Sequence, residues 1–98
     1  MAYTEIIVID LSTRLVLERR ARFRRFEDEG IIINQQTAEA LVVSDVATRL
    51  LELSNGSLTL RDCAAALSEE FDAPAPAIES DVVRFAQELV DAGIVSIA

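Results

Sequence analysis

The chain has no histidine, no lysine and no tryptophan, and only one cysteine, two prolines and three glycines in 98 residues. Without histidine it lacks the side chain that titrates nearest neutrality and the commonest metal ligand, which argues against acid–base catalysis and against a metal centre. Cys63 alone forms no internal disulfide; this agrees with a reducing compartment, and a cytoplasmic protein is expected. No apolar run exceeds about five residues, and Met1–Glu5 lacks the basic start and apolar stretch of a signal peptide. Neither export nor any association with a membrane is expected.

What is present is arginine and acid, unevenly spread. The formal net charge is −8, yet residues 1–25 hold six arginines against three acids, while residues 26–98 hold three arginines against fourteen acids. An acidic surface of that strength repels a phosphate backbone, so no nucleic-acid partner is expected. The length suits one domain with a single core, read as N-terminal strands over 1–29, a hairpin over 30–44 and a helical part over 45–97.

The first half alternates or is β-branched. Ile6–Ile9 and Arg14–Glu18 read as strands joined through a turn at Asp10–Thr13, and in the next run Ala21 and Phe23 share one face while arginines take the other. Glu27–Gly30 reads as a polar turn, followed by the strand pair Ile31–Asn34 and Ala40–Ser44. A helix should then start at Asp45, capped by Ser44 or Asp45 and stopped by Asn55-Gly56. A second helix has Thr59 as its cap with Asp62 three residues on, and a stripe of Leu60, Cys63, Ala64, Leu67 and Phe71. Asp72–Pro76 reads as a connector, since proline cannot continue a helix. The spacing of Ile78, Val82, Phe85, Ala86 and Leu89 predicts a third helix over Ala77–Ala92, stopped by Gly93, with a short strand in Ile94–Ile97. The fold class is α+β: a small N-terminal antiparallel sheet followed by a three-helix bundle, winged helix-turn-helix-like.

The succession Ile31-Ile32-Ile33-Asn34, Ala47-Thr48-Arg49-Leu50-Leu51-Glu52-Leu53, Asn55-Gly56-Ser57-Leu58-Thr59-Leu60, Phe71-Asp72, Asp81-Val82-Val83-Arg84-Phe85 and Ala92-Gly93-Ile94-Val95 resembles the pyrroloquinoline quinone (PQQ) biosynthesis protein D (PqqD) family. The resemblance spans about two-thirds of the chain and is a pattern of apolar positions and turns, with no catalytic motif. It implies an adapter that performs no chemistry. Such a protein binds the leader of a short ribosomally made precursor peptide and presents it to a modifying enzyme, often a radical S-adenosylmethionine (SAM) enzyme. The resemblance places the leader, as an added strand, between Ala40, Leu41, Val42, Val43 and Ser44 and a helix wall of Val82, Val83, Phe85, Ala86 and Leu89. Arg22 and Arg24 are candidates for electrostatic contact with acidic leader residues, against the plainer reading of a solvated strand face. Phe85 and Leu89 also fit the core, as does Cys63.

Two other readings stand beside the adapter. A winged-helix DNA-binding protein shares the fold class, but its recognition helix needs basic or amide side chains, and the second helix offers Arg61 amid acids. A scaffold module would self-associate, with the N-terminal strands forming a homodimer. No catalytic residues, metal ligands or cofactor are indicated.

Overall fold

A computed structural model describes residues 8–98. Its elements run β1 (Arg14–Leu17), β2 (Ala21–Phe26), β3 (Glu29–Asn34), β4 (Glu39–Ser44), α1 (Asp45–Leu53), β5 (Asn55–Thr59), α2 (Leu60–Glu70), α3 (Ala75–Asp91) and β6 (Val95–Ile97). The strands form two antiparallel three-stranded sheets, ordered β2-β3-β4 and β5-β1-β6.

Residues alternate faces in the meander β2-β3-β4. Ala21, Phe23 and Arg25 of β2, Gly30 and Ile32 of β3, and Leu41 and Val43 of β4 share the inner face, with Phe23 opposite Ile32 and Ile32 opposite Leu41. Ala21, Gly30 and Ile32 are buried there. The polar turn expected over Glu27–Gly30 is shorter than the composition suggested: only Glu27 and Asp28 turn, with Glu27 at φ +52, and β3 already begins at Glu29. Gly30 is a strand residue, paired with Arg25 and Val43, and it is glycine because Thr48 of α1 sits against it, leaving no room for a side chain.

The second sheet departs further from expectation. β1 pairs with β5 and β6 rather than with a preceding strand: Leu15 lies opposite Ile97, and Arg14 opposite Thr59. Val8 and Ile9 are not strand, and the rest of the expected Ile6–Ile9 strand lies outside the described residues. The Asp10–Thr13 turn does form, with the Ser12 amide donating to Asp10 Oδ1 at 2.8 Å and the Thr13 amide to the Asp10 carbonyl at 3.1 Å. Asn55–Thr59, where only a helix stop at Asn55-Gly56 and a cap at Thr59 were expected, is a strand because β1 offers it a pairing edge; Gly56 at φ +85 lies within it.

The helices follow their local signals. Ser44 caps α1, accepting from the Ala47 amide at 3.2 Å. At α2, Thr59 Oγ1 accepts from the Asp62 amide and Asp62 Oδ2 accepts from the Thr59 amide, both at 3.1 Å, a reciprocal capping box. α3 starts two residues earlier than expected, at Ala75. Pro76 falls in its first turn, where a missing amide donor costs no helical hydrogen bond. Gly93 at φ +72 ends α3, its amide donating to the Val90 carbonyl and the Ile94 amide to the Leu89 carbonyl, each at 3.0 Å.

The core gathers Leu15, Ile32, Leu50, Leu60, Leu67, Val82 and Ile94 between the helices and the sheets. Arg25 ties β2 to α1 through Asp45 (2.5 Å) and Glu52 (2.9 Å), and Arg49 carries the chain of ion pairs on to Glu70 of α2 (2.9 Å).

Candidate functional site

β4 is an edge strand. It pairs with β3 on one side, and among the described residues no strand pairs with its other side. An edge of this kind presents unpaired amides and carbonyls at alternate residues. β1 is central in its own sheet, with both edges filled by β5 and β6, so it leaves β4 uncovered; β2, the other N-terminal strand, pairs with β3 on one side and with no strand among the described residues on the other.

α3 runs past the open side of β4 with little direct packing between them, and the gap is a cleft. Its deeper part, about 300 Å³, is lined by Val42, Val43, Ser44, Ala47, Phe85, Glu88 and Leu89. A smaller hollow of about 100 Å³ touches Leu41 and Glu39 toward the other end of β4, against Ala92 and Ile94. Phe85, Glu88 and Leu89 share one face of α3 and wall the deeper hollow, and Ala92, which caps the end of α3, continues that line into the smaller one. The walls are mainly apolar, with Glu39 and Glu88 as the acids among them.

The residues singled out from sequence fall into four groups. Val42, Val43, Ser44, Phe85 and Leu89 meet in the cleft, and Leu41 lies at its smaller end. Val82 and Ala86 are wholly buried beneath it. Val83 projects to the other side of α3, into a hollow with Ile9, Asp10, Leu11, Ser12 and Arg61. Ala40, Arg22 and Arg24 belong to the outer face of the meander, and β3 separates the arginines' strand from β4. Ala47 and Glu88 were missed as lining residues. Glu88 shares a helical face with Phe85 three residues before it, and Ala47 stands in the turn that Ser44 caps; those spacings were the available signals.

The titratable groups that the structure perturbs lie outside the cleft. The Thr59 amide holds the Asp62 carboxyl below the usual range, and the Arg49 guanidinium does the same for Glu70. Burial pushes the Cys63 thiol up, away from a reactive thiolate. Among the described residues no group of three or more metal-binding side chains is assembled, and no helix is long and apolar enough to cross a membrane.

Comparison with known proteins places this geometry among relatives. The chain is 29% identical over 96 residues to the PqqA binding protein of Bradyrhizobium diazoefficiens, covering 98% of this chain and 93% of that one. The PqqD truncation of Methylobacterium extorquens PqqCD, a stand-alone recognition element for ribosomally synthesised and post-translationally modified peptides, has a similar fold at 23% identity. Its TM-score is 0.70, over 84% of this chain and 87% of that one. Lasso peptide synthetase B1 complexed with the leader peptide shares the fold at a TM-score of 0.73 and 14% identity, over 85% and 98% of the two chains. The family described as Coenzyme PQQ synthesis protein D (PqqD) matches residues 29–95, from the first residue of β3 to the first of β6. The stretch that builds the open edge of β4 and its facing helix is thus family sequence, and the chain belongs to the PqqD family.

Proposed function

We propose that the chain is a non-catalytic adapter whose cleft between β4 and α3 holds the leader of a short ribosomally made precursor peptide. The observation that carries this reading is the unpaired edge of β4 lying beside an apolar helix face. An extended peptide adds there as an antiparallel strand. Its backbone pairs with β4, and alternate side chains enter the hollows between Val43 and Leu41 on one side and Phe85 and Leu89 on the other.

Magnitudes assign the roles. Each backbone hydrogen bond contributes about 1 kcal/mol net, and ordering each peptide residue costs about 1–2 kcal/mol. Pairing alone therefore roughly cancels, and affinity comes from the apolar side chains buried at about 25 cal/mol per Å². Glu39 and Glu88 favour neutral or basic residues at the positions facing them.

The PqqA-binding relative and the neighbours solved with leader peptides support this reading. The adapter works in the cytoplasm on a PQQ-type or other modified peptide, handing it to a modifying enzyme such as a radical SAM enzyme. We read its arrangement as winged helix-turn-helix-like. The test is a titration of isotope-labelled protein with the leader encoded beside its gene. Backbone amide signals of residues 40–44 and 85–89 should shift, and shifts confined to α2 would sink the proposal.

A further inference from the structure

We propose that the outer face of the meander β2-β3-β4 is a second docking surface, fitted to an apolar, carboxylate-bearing surface of the enzyme that receives the peptide. In register across this face, Arg22 lies opposite Ile33, and Arg24 lies opposite Ile31, which in turn lies opposite Val42. An antiparallel sheet packed on its core by one face usually turns polar residues outward. Here Phe26 is 51% exposed, Ile33 46% and Val42 68%. Phe26, Ile31, Ile33, Arg22 and Arg24 line a shallow depression of about 510 Å³. A contiguous apolar strip of this kind, rimmed by charge, marks an interaction surface.

Charge selects the occupant. Neither arginine pairs with a carboxylate among the described residues: Arg22 donates to the carbonyls of Arg19 and Ala21, both at 2.8 Å, and the ion pairs use other arginines. The one acid in register on this face is Glu29, at the end of the sheet. A second copy packed symmetrically on the same face would set arginines against arginines across the apolar strip. Carboxylates beside apolar side chains satisfy both features. The face is also distinct from the edge: a partner lying on it leaves the side of β4 that faces α3 open, with Val42 and Ser44 at the margin of both surfaces. The face stands whatever fills the cleft, whereas naming the receiving enzyme as its occupant rests on the adapter reading.

The experiment measures binding of the full chain to the purified modifying enzyme encoded beside its gene, by calorimetry at low and high salt, and separately to the leader peptide. Arg22→Glu/Arg24→Glu and Ile33→Thr should each weaken enzyme binding by roughly ten-fold or more. The salt dependence should shrink in the charge variant, and leader affinity should stay within about two-fold because the cleft is untouched. Ile33→Thr keeps the β-branched shape at an exposed site, so the strand is retained if the charge variant misfolds. Unchanged enzyme affinity in a folded variant overturns the proposal. So does a wild-type dimer, seen by sedimentation, that Ile33→Thr dissolves. Failure of the leader to bind wild-type protein, with enzyme binding still lost in both variants, would instead sink the adapter reading and uphold the face.

Discussion

Gly30 of β3 lies directly against Thr48 of α1: a methyl group on Gly30 would fall 2.9 Å from Thr48 Cγ2 and closer still to Oγ1. Thr48 is wholly buried, and its hydroxyl donates to the Ser44 carbonyl at 2.8 Å. One side chain thus seats α1 on the middle strand of the meander and ties it to the end of β4, setting the corner from which the cleft opens. Gly30→Ala should destabilise the fold by about 1–3 kcal/mol, the usual range for overpacking. Thr48→Ala in the same chain should recover part of that loss, giving a non-additive double-mutant cycle by urea unfolding. Additive losses would show that the two residues do not collide.

The capping box at α2 predicts an acid-sensitive fold. The carboxyls of Asp62 and Glu70 have folded pKa values lowered by hydrogen bonds from Thr59 and Arg49. Their contribution to stability is therefore present above the unfolded pKa and lost as pH falls through the folded one. Urea midpoints should hold near neutrality and drop below about pH 4, less steeply in Asp62→Asn. Thr59→Ala should cost about 1 kcal/mol at neutral pH.

Cys63 is buried on the α2 stripe, and its thiol pKa is raised, chiefly by desolvation. A disulfide reagent should leave it untouched in the native protein at pH 8 and label it fully in denaturant. Rapid native labelling would mean that α2 opens locally.

Backbone pairing at β4 predicts an alternating response to peptide chemistry. Leader peptides N-methylated at successive positions should lose affinity at every second residue, because only alternate amides of an added strand face β4. A uniform loss in calorimetry would argue against strand addition.

Glu88 is exposed on the cleft wall, so its replacement should change stability by less than about 0.5 kcal/mol. Glu88→Lys should tilt preference toward leaders with an acidic residue opposite it, read as a ratio of dissociation constants for acidic and basic peptide variants.

The cleft was only half legible from the chain. The resemblance to the PqqD family pointed to Val43, Phe85 and Leu89, which meet there, whereas alternation and the α3 stripe alone fitted Phe85 and Leu89 equally to the core. They could not say which side of α3 an off-stripe residue would take, and Val83 turned to the opposite side because α2 and the core fix the rotation of α3. Arg22 and Arg24 alternate correctly away from Ala21 and Phe23, yet only the packing of the meander shows that this outward face points away from the cleft.

By itself the sequence determined the features with local causes: helix starts at Ser44 and Thr59, the stop at Gly93, the buried stripes of α2 and α3, and the acidic balance without histidine or lysine. Caps, periodicity and charge act within a few residues and are written in adjacent side chains. The tertiary structure decided the rest. Asn55–Thr59 has the composition of a turn and becomes a strand because β1 supplies its partner some forty residues away. Gly30, too, is strand rather than turn because Arg25 and Val43 pair with it on either side, and Thr48 rests on the space its missing side chain leaves. Strand pairing and close approach are satisfied between distant segments, so the edge left unpaired at β4 emerges only once every other strand has found its neighbour.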